Sequence, residues 1–202
     1  MNNCRMAVLV SGNGSNLEAI LNNIEAEDIP GEVVVVISNV EDAYALVRAH
    51  NHNVDARWVD LKAFPTRADY DRELVRILQE KQVDLVILAG YMLLVGPEIL
   101  GAFPLRVINL HPALLPSFPG THGAADALAY GVKVTGVTVH FVDEGLDTGP
   151  IIMQQALAVR GDDDLDNLLE RIHQIEHRLY PEAIRYFCEG RIRVEGRRVF
   201  ID

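Results

Sequence analysis

The sequence predicts an α/β fold: a mostly parallel sheet with helices on both faces and an antiparallel extension in the C-terminal half. Short runs that are apolar at nearly every position recur at residues 6–10, 33–37, 85–89 and 107–110. Such runs read as strands covered on both faces, as parallel strands are. Segments of helical periodicity separate them, and this alternation of strand and helix builds a parallel sheet. Two further strand-like runs, 135–142 and 150–159, are joined only by DEGLDTG. That joint is too short for a crossover helix, so these two strands are antiparallel.

Taken in order, the strand at 6–10 runs into SGNGSN, a glycine turn at 11–16, and then a helix over 16–23. A second strand at 33–37 leads to a helix over 43–50. The helix over 67–81 places Tyr70, Leu74, Ile77 and Leu78 on one face, the spacing of a core-facing stripe. After the strands at 85–89 and 107–110, the turn-rich HPALLPSFPGTHG precedes a short helix over 124–130. Residues 162–190 form one long amphipathic segment, with acids at its start that suit a helix dipole and Pro181 as an expected kink. The chain closes with a hairpin, RIRVEGRRVFI, turning at Glu195-Gly196.

With 202 residues, 49% of them hydrophobic, the chain fills one core, and a single domain over 1–202 is expected. A net charge of −11 repels phosphate backbones, which disfavours nucleic acid as a partner and requires any anionic ligand to be drawn by a local pocket. Only Cys4 and Cys188 are present, without metal or redox spacing, which points to a reducing, cytoplasmic setting. No run approaches the roughly 20 apolar residues of a membrane helix, and the N-terminal run is too short for a signal peptide.

Two places carry chemistry. In SGNGSN, glycines allow tight turning, and free N–H groups at a helix start hold an anion such as phosphate. The alternative is a simple turn capped by Ser15 or Asn16. Leu17 stands where a dinucleotide loop has its third glycine, so a dinucleotide is disfavoured. The second place is INLHP at 108–112. Residues two apart on a strand share a side, so Asn109 and His111 project together while Ile108 and Leu110 enter the opposite layer. The C-terminal end of a parallel strand is where α/β proteins place ligands, and Pro112 ends the pairing there. Asn109 is suited to donate to a developing oxyanion, and His111 to hold or move a proton. The loop at 143–149 offers Asp143, Glu144 and Asp147 as the carboxylate that orients the histidine and favours its charged form, and Asp147 is the choice. His140 reads as a satisfied core histidine, with a contact to this loop as the alternative.

SGNGSN, AGYM at 89–92, INLHPALLPSFPG, TGVTVHFVDEGLDTGPII and RIHQIEHRLYP, in this order and spacing, resemble the phosphoribosylglycinamide formyltransferases of purine biosynthesis over essentially the whole chain. The resemblance implies a Rossmann-like formyltransferase fold, with a nucleotide-binding half at 1–105 and a catalytic and folate-binding half at 106–202. It implies transfer of the formyl group of 10-formyltetrahydrofolate to the amine of phosphoribosylglycinamide, by a monomer or homodimer, without a metal. Asn109, His111 and Asp147 match the catalytic set. Gly14, Ser15 and Asn16 match the phosphate loop, and His173 and Glu176 lie in the acceptor-side helix. On the folate side the matches are Arg67, Met92, Leu93, Leu94, Val95, Val142, Asp143 and Glu144, together with Asn109 and Asp147. Leu93 stands where relatives commonly carry arginine, with Arg67 or Arg106 available to meet the folate's glutamate tail instead.

Rival readings are formyltetrahydrofolate deformylase, which shares the Asn-His-Asp set but usually bears an additional N-terminal domain, and methionyl-tRNA formyltransferase, which carries a further C-terminal domain and binds a polyanion unsuited to this charge. HQIEH at 173–177 also matches an inverted zinc-protease pattern, but it lacks a clear third ligand. A non-catalytic nucleotide-binding module is the remaining alternative.

Overall fold

The computed structural model describes residues 3–202. The elements are β1 (Cys4–Val10), α1 (Ser15–Glu25), β2 (Gly31–Ser38), α2 (Tyr44–Asn51), β3 (Ala56–Trp58), α3 (Arg67–Glu80), β4 (Leu85–Leu88), α4 (Pro97–Ala102) and β5 (Val107–His111) in the first half. They continue with α5 (Gly123–Tyr130), β6 (Val134–Phe141), β7 (Ile151–Ala158), α6 (Leu165–Cys188), β8 (Ile192–Glu195) and β9 (Arg198–Ile201). One sheet runs in the order β3-β2-β1-β4-β5-β6-β7, and β8-β9 form a separate hairpin. The first five strands are parallel, and β6 and β7 are antiparallel to their neighbours. This is the predicted architecture.

Strand order places the site. From β1 the chain moves outward to β2 and β3, then returns to lay β4 on the other side of β1. The loops leaving β1 and β4 therefore diverge and open a crevice at their carboxyl ends, the switch point where doubly wound sheets bind ligands. Continuously apolar β1 and β4 are buried on both faces because a helical layer covers each. Ile108 packs with α1 and α6 side chains, including Leu17, Ile20, Ile172 and Tyr180. Val107 packs with Tyr70, Leu74 and Leu78 of α3 on the opposite face. Each fully buried large apolar side chain contributes about 1.5–3 kcal/mol, so the two layers fix the strand ends firmly.

Two elements had no sequence signal. Strand β3 has only three residues, too few to show periodicity, and α4 has six and begins at Pro97. The helix α6 is continuous across Pro181, so the expected kink does not divide it. Its buried stripe, from Leu168 and Ile172 through Tyr180 to Ile184, holds both halves against the sheet. The Tyr180 hydroxyl lies 2.9 Å from the Leu88 carbonyl and 3.1 Å from that of Ile108, and donates between them. That contact ties α6 to the ends of β4 and β5, one turn beyond Glu176.

Candidate active site

A cleft of about 500 Å³ lies across these strand ends, within the range of small-molecule sites. Its walls come from the β1–α1 loop, the segment after β4, the end of β5, residues 120–121, the β6–β7 loop and α6. The two halves of the chain contribute to one cleft, with 88–95 on one side and His173 and Glu176 on another.

At the glycine loop, the neighbouring helix sets the peptide planes. The Gly12 carbonyl accepts from the Ala45 N–H at 3.0 Å, and the Asn13 carbonyl accepts from Arg48 Nε at 2.9 Å. A trans peptide points its N–H opposite to its carbonyl, so the N–H groups of Asn13 and Gly14 turn away from α2. Gly14 sits at φ 78°, and a Cβ there would stand 2.6 Å from Ala45 Cβ, so conformation and space both demand glycine. With the free N-terminus of α1 beside it, this is an anion cradle assembled from backbone.

In the first turn of α1, next to the cradle, Asn16 Nδ2 donates to Glu176 Oε2 at 3.0 Å. The Glu176 side chain is buried, and Asn16 Oδ1 has no hydrogen-bond partner in the protein. Both residues line the cleft, and the carboxylate is an acceptor that takes hydroxyl or amine donors. Glu176 is therefore engaged with Asn16, while His173 and His177 stack at 6.3 Å between centroids. Among the described residues, no group of three or more His, Cys, Asp or Glu side chains is gathered for a metal.

The strand-end pair occupies the predicted side. Antiparallel register sets Asn109 opposite His140 and His111 opposite Thr138. His140 Nδ1–H donates to the Phe141 carbonyl at 2.8 Å, leaving Nε2 to accept from Asn109 Nδ2 at 3.3 Å. That bond fixes the amide orientation and leaves Asn109 its second N–H for a ligand. His140 Nε2 also lies 3.6 Å from Asp147 Oδ1. His140 is thus part of the site, and the signal for it was the strand pairing, which aligns it with Asn109.

His111 Nε2–H donates to the Phe118 carbonyl at 2.7 Å, and its Nδ1 lies 3.5 Å from Asp147 Oδ2. Asp147 Oδ2 accepts from the Gly120 N–H at 2.7 Å, and Gly120 itself turns at φ 100°. Burial pushes the Asp147 carboxyl up, but His140, the Gly120 N–H and the His111 ring outweigh it and hold the group below the ordinary aspartate range.

As the sequence predicts, the Asp147 charge favours the protonated form of His111, but a larger effect opposes it. Burial pushes the imidazole below its ordinary value, against the Asp147 charge and the Phe118 carbonyl, which favour imidazolium. In the free protein His111 titrates below 6.5, and Asp147→Asn lowers it further by removing the favourable charge. A ¹⁵N-imidazole NMR titration checks both directions; a value above 6.5 in the free protein contradicts them.

Every sequence-assigned site residue lines the cleft except Arg67. Arg67 Nε donates to buried Asp71 at 2.9 Å and its Nη2 to the Leu94 carbonyl, so it braces the 92–95 segment from behind. Arg106 bonds the Ala102 carbonyl and also stands outside the wall. In their place the rim formed by this segment and the β6–β7 loop exposes Met92, Leu94 and Leu146. Arg67→Ala is expected to weaken folate binding about tenfold through this segment while leaving ribonucleotide binding within about twofold. Equal losses for the two ligands in calorimetric titrations contradict this.

The doubly wound α/β sheet thus brings an asparagine, a histidine and an aspartate together at its switch-point cleft, an amide donor beside a histidine–carboxylate pair. The chain belongs to the formyl transferase family, whose model matches residues 4–184. It is 45% identical over 193 residues to the phosphoribosylglycinamide formyltransferase of Mycobacterium tuberculosis (strain CDC 1551 / Oshkosh), covering 96% of this chain and 89% of that one. The enzyme of the same name from Bacillus subtilis (strain 168) is 39% identical over 181 residues, covering 90% and 93%. The crystal structure of glycinamide ribonucleotide transformylase 1 from Symbiobacterium toebii superposes with a TM-score of 0.97 at 53% identity, covering 98% of this chain and 94% of that one. No helix among the described residues is long and apolar enough to cross a membrane.

Proposed function

We propose that this enzyme transfers the formyl group of 10-formyltetrahydrofolate to the amine of phosphoribosylglycinamide, giving formylglycinamide ribonucleotide and tetrahydrofolate in purine biosynthesis. The observation that carries the reading is one cleft holding an anion cradle, the Glu176 carboxylate and the Asn109–His111–Asp147 centre in sequence. The cradle takes the ribonucleotide phosphate, with His173 beside it. Glu176 takes ribose or glycinamide donors. The folate enters between 92–95 and 142–144, and its formyl carbon meets Asn109.

Attack by the amine converts the formyl carbonyl into a tetrahedral centre with negative oxygen and positive nitrogen. Asn109 donates its free N–H to that oxygen, a contact that strengthens as charge develops. His111 presents its Nδ1 edge toward Asp147 while Nε2–H stays on Phe118. Asp147 and the Phe118 carbonyl favour the imidazolium, and an adjacent oxyanion adds the further negative charge that overcomes burial. The centre then collapses: the bond from the formyl carbon to the folate nitrogen breaks. The amine's proton passes to that leaving nitrogen through a water held by Asp147.

Folate absorbance on mixing with 10-formyltetrahydrofolate tests the reading. Loss of the formyl group only when phosphoribosylglycinamide is present supports the transferase, and equal loss without it identifies a deformylase.

A further inference from the structure

The loop after β5 supplies two of the contacts that orient the catalytic groups: the Phe118 carbonyl on His111 and the Gly120 N–H on Asp147. Both come from a turn-rich, eleven-residue connection between His111 and Gly123 that forms no helix or strand. Its position is set elsewhere. Thr138, fully buried on β6, donates its hydroxyl to the Ala113 carbonyl at 2.7 Å and accepts from the Leu115 N–H at 3.1 Å. Gln154 on β7 completes the hydroxyl with a bond of 2.9 Å and gives its other N–H to the Leu115 carbonyl at 2.9 Å. The one donor and two acceptor positions of the hydroxyl are all used.

Register explains why these two residues do it. His111 pairs with Thr138, and Thr138 pairs with Gln154, so the three side chains stand in a row across three adjacent strands. Directly opposed residues on antiparallel strands share a face. The loop leaves the row at His111, is fastened to the next two members at 113 and 115, and so returns Phe118 to the ring from which it started.

Resting on the formyl-transfer reading, we propose that Thr138 and Gln154 are positioning residues of the catalytic centre, holding the loop where Phe118 meets His111 and Gly120 meets Asp147. Neither lines the cleft, so neither binds substrate. A displacement on the order of 1 Å in catalytic geometry costs about a hundredfold in rate, and that sets the scale.

The experiment uses the full chain carrying Thr138→Val, Thr138→Ser or Gln154→Met. Thr138→Val keeps the branched shape and removes the hydroxyl. It is expected to lower kcat about 10- to 100-fold with KM for both substrates within about threefold. Thr138→Ser restores kcat to within about threefold of the unmodified chain, because the hydroxyl returns. Gln154→Met, on the outer strand, lowers kcat about tenfold and decides the matter if the valine variant does not fold. In ¹⁵N spectra, Thr138→Val and Gln154→Met lose the sharp His111 Nε2–H signal of the Phe118 bond. Folded valine and methionine variants with unaltered kcat and spectrum overturn the proposal, as does a serine variant as impaired as the valine one. If the unmodified chain transfers no formyl group, the activity reading fails, while the spectrum still reports on the loop.

Discussion

Asp147→Asn is expected to lower kcat about a thousandfold, with both KM values changing by less than about fivefold. The substitution keeps volume and leaves an amide oxygen to accept from Gly120, so the loop conformation at φ 54° survives. What disappears is a full negative charge 3.5 Å from His111 Nδ1 and 3.6 Å from His140 Nε2. Without it, the Phe118 carbonyl is left to oppose burial without the Asp147 charge, and the imidazolium that should meet the oxyanion is disfavoured further. The water proposed to carry the amine's proton would also meet a neutral amide in place of a carboxylate. A thousandfold loss corresponds to about 4 kcal/mol of transition-state stabilisation, within the reach of combined proton transfer and electrostatics. Steady-state kinetics with both substrates varied gives the answer. A kcat within tenfold of the unmodified enzyme would mean that the aspartate merely shapes its loop.

Asn109→Ala is the second large effect, a fall in kcat of about a hundredfold to a thousandfold. The side chain is half-buried in the cleft wall and hydrogen-bonds His140, so the strand tolerates its loss. The removed group is the N–H that the growing negative oxygen requires, and the loss appears in kcat because the ground-state carbonyl needs it less. A rise in KM with kcat intact would assign Asn109 to binding alone.

Much of this site is legible in the sequence because it hangs on strand parity. The alternation that sends Ile108 into one layer sends Asn109 and His111 toward the other, and Pro112 marks where the strand must release them. The sheet is legible for the same reason: the runs at 6–10, 33–37 and 85–89 are apolar at every position and need cover on both faces. What escaped depends on contacts distant in the chain. His140 joins the site through antiparallel register with Asn109, and residue type alone leaves it indistinguishable from a core histidine. The Phe118 carbonyl and Gly120 N–H are backbone groups whose direction no side-chain pattern encodes. Arg67 is placed on the folate side by the resemblance alone, which carries no information on its partners in this chain; in the fold, buried Asp71 one turn along claims it. The net direction of the His111 shift likewise follows from burial, which only the packed structure reveals.

The central claim is that the formyl carbon moves between two bound ligands within one cleft. The measurement that tests it most directly supplies 10-formyltetrahydrofolate labelled with ¹³C at the formyl carbon and follows the label by NMR with phosphoribosylglycinamide present. One new formamide carbon on the ribonucleotide is expected for each tetrahydrofolate formed, and none with Asp147→Asn on the same timescale. Label recovered as free formate, at the same rate with or without the ribonucleotide, would contradict it.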